Sequence, residues 1–281
     1  MRETPHKKIK EILKDKIPLD LIEDIPKKWE IIGEVGIIKL DKKLSSYSKK
    51  IGKVYSDVLN CKTILEDTGG IGGEFRKPEV KILYGSTNTE TVHIENKIKF
   101  KLDPQKIMFS SGNMDERKRT ARIPNKGEVI ADLFAGIGYF SIPMAVYSNP
   151  KKIFACEKNP IAYKYLSENI TLNNVNDIVK PVLGDNRKTA PKQVADRVIL
   201  GYFGNTKDFI QTAIDALKQK QGIIHYHDLF PNESVPKEAI KIIDKIADIN
   251  NRKVKLLNYR LVKSFAPRIG HYVFDLEIGK I

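Results

Sequence analysis

Three short stretches of the chain carry residue types whose spacing suits the binding of a nucleoside. Asp132-Leu133-Phe134-Ala135-Gly136-Ile137-Gly138 continues an apolar run that begins at Glu128, and it places small residues where a backbone must turn tightly against a ligand. Glu157 stands nineteen residues beyond Gly138, at the end of a second apolar run, where a carboxylate can accept hydrogen bonds from both hydroxyls of a ribose. Gly184-Asp185-Asn186 follows a third run and offers a carboxylate and an amide to an adenine edge, with Asp185 accepting from the exocyclic amine. Each stretch also has a plainer reading. A glycine turn serves strand-to-helix geometry alone, Glu157 would support a helix N-cap, and Asp185-Asn186 would form an Asx turn. Their order, and their common place at strand ends, make the three together more specific than any one.

A dinucleotide-binding turn calls for a third glycine three residues after Gly138, and Ser141 stands there instead. S-adenosylmethionine has no pyrophosphate that requires so close an approach of the helix. It is therefore the expected co-substrate, with Asp132, Phe134, Gly136, Glu157, Asp185 and Asn186 as its binding residues. No metal is expected. Cys61 and Cys156 lie far apart and in no C-x-x-C pair, which argues against a zinc site or a disulfide framework and suits a reduced compartment. His225 and His227 flank Tyr226 in a strand and so share one face, but the sequence offers them no third ligand. His93 reads as structural.

The elements that would position these residues fall into two textures. Ile9, Ile12, Leu13 and Ile17 recur at helical spacing before Pro18 and Pro26 interrupt the pattern. Glu30 to Leu40, Val80 to Tyr84, Thr91 to Ile94 and Lys97 to Leu102 then read as short strands joined by turns, one of them the cluster Gly69-Gly70-Ile71-Gly72-Gly73. After about Asp103, strand, turn and helix alternate, with strands at Val129 to Phe134, Lys152 to Cys156, Val179 to Leu183, Arg197 to Leu200 and Gly222 to Tyr226. Val254 to Ile278 supplies two closing strands. The expected fold is α/β: a Rossmann-like class I S-adenosylmethionine-binding domain over residues 105–281, preceded by a smaller α+β domain over residues 1–104 that contacts nucleic acid.

The 281 residues carry 49 Lys and Arg against 35 Asp and Glu, a formal charge of +14 that favours a polyanionic partner such as nucleic acid. A Lys-rich surface also suits a high-temperature host, so charge by itself leaves both readings open. Met1 to Lys8 leads into an amphipathic pattern without an apolar signal core, and no stretch approaches about 18 apolar residues. A cytoplasmic protein with no membrane contact and no obligate protein partner is expected.

Over nearly its whole length the chain resembles the archaeal tRNA methyltransferase and wybutosine-synthesis family, which modifies the purine following the anticodon. The likeness rests on Gly72-Gly73-Glu74-Phe75-Arg76-Lys77-Pro78, Thr89 to Asn96, Met108-Phe109-Ser110-Ser111-Gly112-Asn113 and Glu116-Arg117-Lys118-Arg119. It continues through Asp132 to Gly138, Ile224-His225-Tyr226 and Lys263-Ser264-Phe265-Ala266-Pro267-Arg268. One branch of the family methylates guanine N1; the other transfers a 3-amino-3-carboxypropyl group during wybutosine synthesis. This chain looks like the second branch. Leu200-Gly201-Tyr202 stands where methylating members carry Asn-Leu-Pro, Met108 where they tend to carry Tyr, and Ser111-Gly112 where they carry Pro-Arg.

The resemblance implies an aminocarboxypropyltransferase acting on 4-demethylwyosine in the anticodon loop of tRNA(Phe), with guanine-N1 methylation as the alternative activity. A non-catalytic RNA-binding protein that keeps the cofactor fold is a third reading, against which Asp132, Glu157 and Asp185 speak. The sulfonium of the co-substrate activates three carbons, and the enzyme selects one by which it holds in line with the nucleophile. Ser110 and Arg117 are the pair expected to anchor the carboxylate of the methionine arm. Arg117 could equally pair with Glu116 or Asp115, and Ser110 could cap a helix. Glu116 matches the general base of the methylating branch. Arg76, Arg119 and Tyr202 are the residues expected at the RNA, by phosphate or base contact, with surface charge or core packing as their plainer roles; Phe203 lies beside them.

Overall fold

The computed structural model describes residues 3–123 and 125–280; Met1 and Arg2 of the N-terminal reading, Pro124 and Ile281 lie outside the described residues. The chain divides into two compact units, Met1–Ser111 and Gly112–Ile281. No helix among the described residues is long and apolar enough to cross a membrane.

In the first unit α1 (Pro5–Leu13) begins with proline in its first turn and Thr4 as N-cap, and it buries Ile9 and Leu13. These two pack with Ile17, Ile22, Ile25, Ile51 and Tyr55 in one apolar cluster, as the three- and four-residue spacing requires. The run read as one strand from Glu30 folds as a hairpin, β1 (Trp29–Ile32) and β2 (Val35–Ile38), because Gly33 takes a φ of +56° between them. Helix α2 (Ser48–Leu59) follows, ended by Asn60 in the left-handed region. The glycine cluster read as a turn lies mostly inside β3 (Thr63–Gly72), which pairs with β4 (Lys77–Gly85). A register shift between Asp67 and Gly70 absorbs it, and Gly70 N–H donates to Asp67 Oδ1 at 2.7 Å. The sheet runs β1-β2-β3-β4, with β2 and β3 parallel. A separate hairpin, β5 (Thr91–Glu95) and β6 (Ile98–Leu102), turns through Asn96 and Lys97, both at positive φ. His93 Nδ1 accepts from Gly33 N–H at 3.2 Å, a structural bond.

The second unit opens with α3 (Met114–Ala121) and continues through β7 (Val129–Asp132), α4 (Ser141–Ser148), β8 (Lys152–Glu157), α5 (Pro160–Leu172) and β9 (Val179–Leu183). Then come α6 (Asn186–Thr189), β10 (Arg197–Leu200), α7 (Ile210–Ala216), β11 (Gln221–Pro231) and α8 (Lys237–Ile249). The long strands β12 (Arg252–Ala266) and β13 (Ile269–Lys280) close the sheet, whose order is β12-β13-β11-β10-β7-β8-β9. Strands β9, β8, β7, β10 and β11 are mutually parallel; β13 is antiparallel to β11, and β12 to β13. All four residues of β10 are buried, as a central parallel strand demands. The strand order reverses at β7, which lies between β8 and β10, so the carboxyl end of β7 is the switch point where such sheets bind ligands.

Candidate active site

The turn after β7 is held by its own carboxylate. Asp132 is 0% exposed; its Oδ2 accepts from the Ser141 hydroxyl at 2.7 Å and its Oδ1 from Phe134 N–H at 3.3 Å. Burial raises its carboxyl to about 6, with the Ser141 and Phe134 hydrogen bonds opposing the shift. Ser141, which stands where a dinucleotide turn would have glycine, is thus the side chain that fastens Asp132 to the start of α4. Gly136 and Gly138 sit at φ +57° and +99°. A Cβ on Gly136 would come 2.6 Å from the Tyr139 ring, and one on Gly138 would meet the Ile142 side chain.

Glu157 at the end of β8 joins this turn directly. Its Oε2 accepts from Gly136 N–H at 2.7 Å and its Oε1 from Asn159 N–H at 2.7 Å. Burial raises its carboxyl above the usual range, against the pull of these backbone bonds. Each carboxylate oxygen has a second lone pair, so a ribose diol can still be received. Asn186 completes the cradle after β9: its Nδ2 donates to Leu133 C=O at 2.6 Å, while its buried Oδ1 has no partner among the described residues. An orphaned buried acceptor beside a glycine turn and a ribose-type carboxylate is a donor–acceptor set that fits an adenine nucleoside.

Asp185 is occupied differently. It caps α6 through Arg187 N–H at 3.1 Å and pairs with the Arg187 guanidinium at 2.5 Å, with Lys158 3.6 Å away. The Arg187 hydrogen bond holds its carboxyl well below the usual range. Phe134 stacks on Tyr202, centroids 4.9 Å apart and planes at 16°, and meets Phe209 edge-on at 4.8 Å. The preceding Gly201 packs closely on another ring, since a Cβ there would lie 2.8 Å from the Phe140 ring. Tyr202 therefore packs against the cofactor turn.

On α3, Glu116 and Arg117 are 1% and 2% exposed. The Glu116 carboxylate accepts from Arg119 Nε at 3.0 Å and Nη2 at 2.8 Å and from the Thr120 hydroxyl at 3.2 Å. The far side of the Arg119 guanidinium binds both oxygens of Asp275, at 2.7 and 3.0 Å. Asp275 pairs at 2.5 Å with Nδ1 of His225, its cross-strand neighbour. The carboxylate accepts a hydrogen bond from Nδ1–H, so Nε2 is left to accept from Arg197 Nη1 at 2.7 Å, and Arg197 in turn binds Glu128 at 2.7 and 3.0 Å. Burial lowers the His225 pKa, in keeping with this neutral tautomer. Arg119, expected at the RNA, thus spends both edges on Glu116 and Asp275. His227 and His271 extend the cluster: their nitrogens are 3.2 Å apart, and His227 Nε2 lies 4.0 Å from Glu116. Burial pushes His227 down to about 3. Among the described residues no group of three or more His, Cys, Asp or Glu is disposed to hold a metal ion.

Asp275 and His271 were missed by the sequence reading. The available signal was polar residues inside strands otherwise fit for burial, as in Gly222 to His227 and His271 to Asp275. Arg117 has its guanidinium 6.0 Å from the Tyr139 ring centre, beside the turn of Gly136 and Gly138. In the first unit Arg76 occupies the β3–β4 turn at φ +50° with its guanidinium 3.9 Å from Met108 Sδ, and Ser110 is half-buried near the unit's end.

A glycine turn at the sheet's switch point, a buried carboxylate on the next strand that binds it and an open amide on the third define a Rossmann-like domain of the S-adenosylmethionine-dependent class. The TRM5/TYW2 methyltransferase domain matches residues 91–257, and the TYW2 N-terminal domain matches residues 9–89. The chain belongs to the TRM5/TYW2 family. It is 42% identical over 273 residues to a tRNA(Phe) (4-demethylwyosine(37)-C(7)) aminocarboxypropyltransferase of Pyrococcus horikoshii, covering 97% of each chain. With the protein of the same description from Methanocaldococcus jannaschii it shares 46% identity over 254 residues, 90% of this chain and 99% of that one. The crystal structure of P. horikoshii TYW2 in complex with MeSAdo superposes with a TM-score of 0.89 at 39% identity, covering 98% of this chain and 100% of the other.

Proposed function

We propose that this protein transfers the 3-amino-3-carboxypropyl group of S-adenosylmethionine to 4-demethylwyosine in the anticodon loop of tRNA(Phe), a step of wybutosine-derivative biosynthesis. The observation that carries the reading is the 2.7 Å bond between Gly136 N–H and Glu157, which makes turn and ribose acceptor one rigid cradle, with the Asn186 acceptor open beside it. Near full-length likeness to two aminocarboxypropyltransferases, and Leu200-Gly201-Tyr202 at the end of β10, support this reaction over guanine-N1 methylation. When bound, the co-substrate supplies an electrophilic γ-carbon next to its sulfonium, and loss of the aminocarboxypropyl group leaves methylthioadenosine.

The protein's own groups orient and balance charge. Glu157 receives the ribose diol, Asn186 the adenine edge, and Phe134, buttressed by Tyr202, borders the nucleoside, while Asp185 serves as the cap of α6. Arg117 is assigned to the methionine carboxylate, the partner a planar two-pronged cation favours, with Ser110 in the supporting role that the resemblance gives it. Glu116 is assigned to receive the ring proton released after attack, and Arg119 and Thr120 hold its carboxylate in one orientation. Arg76 and Tyr202 are assigned to the RNA.

The deciding assay incubates the purified protein with S-adenosylmethionine and tRNA(Phe) carrying 4-demethylwyosine and identifies the small product. Methylthioadenosine is expected; S-adenosylhomocysteine would replace the proposal with methyl transfer, and no RNA-dependent turnover would remove both. Arg117→Ala should weaken co-substrate binding far more than tRNA binding, and equal loss of both would end the carboxylate-anchor assignment.

A further inference from the structure

The edge strand β12 carries an exposed aromatic that the cofactor site does not use. Phe265 is 53% exposed, and it is the extra residue of a bulge: Ser264 pairs with Gly270 and Ala266 with Ile269, leaving Phe265 unpaired between them. A bulge on an edge strand re-aims its side chain. Here the ring meets Phe203 edge-on, centroids 5.8 Å apart, and Phe203 lies 4.8 Å from the His271 ring. His271 is followed inward by His227, at 5.4 Å, whose Nε2 is the atom 4.0 Å from Glu116. An aromatic ladder thus leads from the surface to the buried carboxylate, all within the second unit. Tyr202 turns to the cofactor side, on Phe134, while its neighbour Phe203 takes the ladder side.

The surroundings are cationic. Lys263 precedes Phe265 by two residues, and the exposed Arg268 follows at the strand end. Arg260 on the same strand approaches Glu116 at 3.7 Å. A half-exposed aromatic ring with Lys263 and Arg268 two and three residues away along the chain, on a protein of net charge +14, matches an unpaired nucleobase with its phosphates better than an apolar protein face or a second copy of a like-charged chain.

We propose that Phe265, backed by Phe203, is a stacking platform for a single-stranded nucleobase of the RNA substrate, and that Lys263 and Arg268 hold the adjoining phosphates. The proposal rests on the tRNA reading above and adds a named contact surface to it. Stacking uses the ring's face, so aromatic and aliphatic replacements separate it from simple burial. Equilibrium binding of full-length protein to tRNA(Phe) carrying 4-demethylwyosine would be compared for wild type, Phe265→Ala, Phe265→Leu and Phe265→Trp, alongside each variant's affinity for S-adenosylmethionine and its oligomeric state. Phe265→Ala and Phe265→Leu should weaken tRNA binding about tenfold, while Phe265→Trp stays within about twofold of wild type and co-substrate affinity is unchanged in all. Lys263→Ala should lower the slope of log affinity against log salt by about one phosphate contact, which Phe265→Ala should not. Equal tRNA affinity in all Phe265 variants, full affinity in Phe265→Leu, or a change confined to oligomeric state would overturn the platform. If the variants behave as expected but wild type yields no methylthioadenosine, the assigned reaction fails and the platform stands.

Discussion

Asp132 carries its charge in the most buried part of the site, and replacing it by asparagine should reveal what that charge does to folding. Burial raises its carboxyl from 3.8 to about 6, a difference of about two units. At about 1.4 kcal/mol per unit this amounts to about 3 kcal/mol. Near pH 3 and below the group is largely protonated in folded and unfolded chains alike and contributes little penalty. Between about pH 4 and pH 6 the unfolded chain has released the proton and the folded one resists, so stability falls, and the fall levels off as the folded carboxyl ionises above about 6; by pH 8 the full loss of about 3 kcal/mol is reached. Asparagine keeps the shape: its Oδ1 can accept from Phe134 N–H, and its Nδ2 can donate to the Ser141 hydroxyl. Asp132→Asn has no charge to desolvate. The stability of Asp132→Asn relative to wild type should therefore rise by about 3 kcal/mol between pH 3 and pH 8. Urea unfolding of both proteins at fixed ionic strength measures this, and any pH-independent offset of the substitution cancels in the comparison. A difference that stays constant with pH, or falls, would refute the burial argument.

Two further outcomes follow from the same geometry. Glu157→Gln keeps the side chain's length but loses charge-assisted acceptance of the ribose diol, so calorimetric affinity for S-adenosylmethionine should fall about tenfold or more; unchanged affinity would take the ribose role away from Glu157. Asp275→Ala leaves the Arg119 guanidinium and the His225 ring without their shared carboxylate and should destabilise the fold by about 3 to 5 kcal/mol, with Asp275→Asn losing less; a loss under about 1 kcal/mol would show the linked charges to be dispensable.

What could be read from the sequence was local. The turn Asp132 to Gly138 ends a strand that its own apolar run announces, and Glu157 and Asn186 stand at the ends of the next two strands. The side-by-side arrangement of parallel strands brings those ends together almost automatically. Locality also explains the misreadings. Glycines at 69–73 resemble a turn, yet cross-strand partners and a register shift carry them inside β3, while helix α2 is concealed in a stretch otherwise rich in strands. Asp185 offered an adenine contact and an Asx cap with equal right, and only the position of Arg187 against it shows the cap formed.

The sequence by itself determined the order of elements of the second unit, the glycine turn after β7 and the carboxylate that ends β8, because each is written in a few consecutive residues. Tertiary structure decided the fate of the charges. Arg119 and Asp275 are 156 positions apart, and the chain from Glu116 to Glu128 through Arg119, Asp275, His225 and Arg197 exists only because β11 pairs with β13 in the register that sets His225 opposite Asp275. A buried ion without hydrogen bonds or a counter-ion is costly, and for Arg119 and Asp275 the counter-ion each meets is settled by strand register.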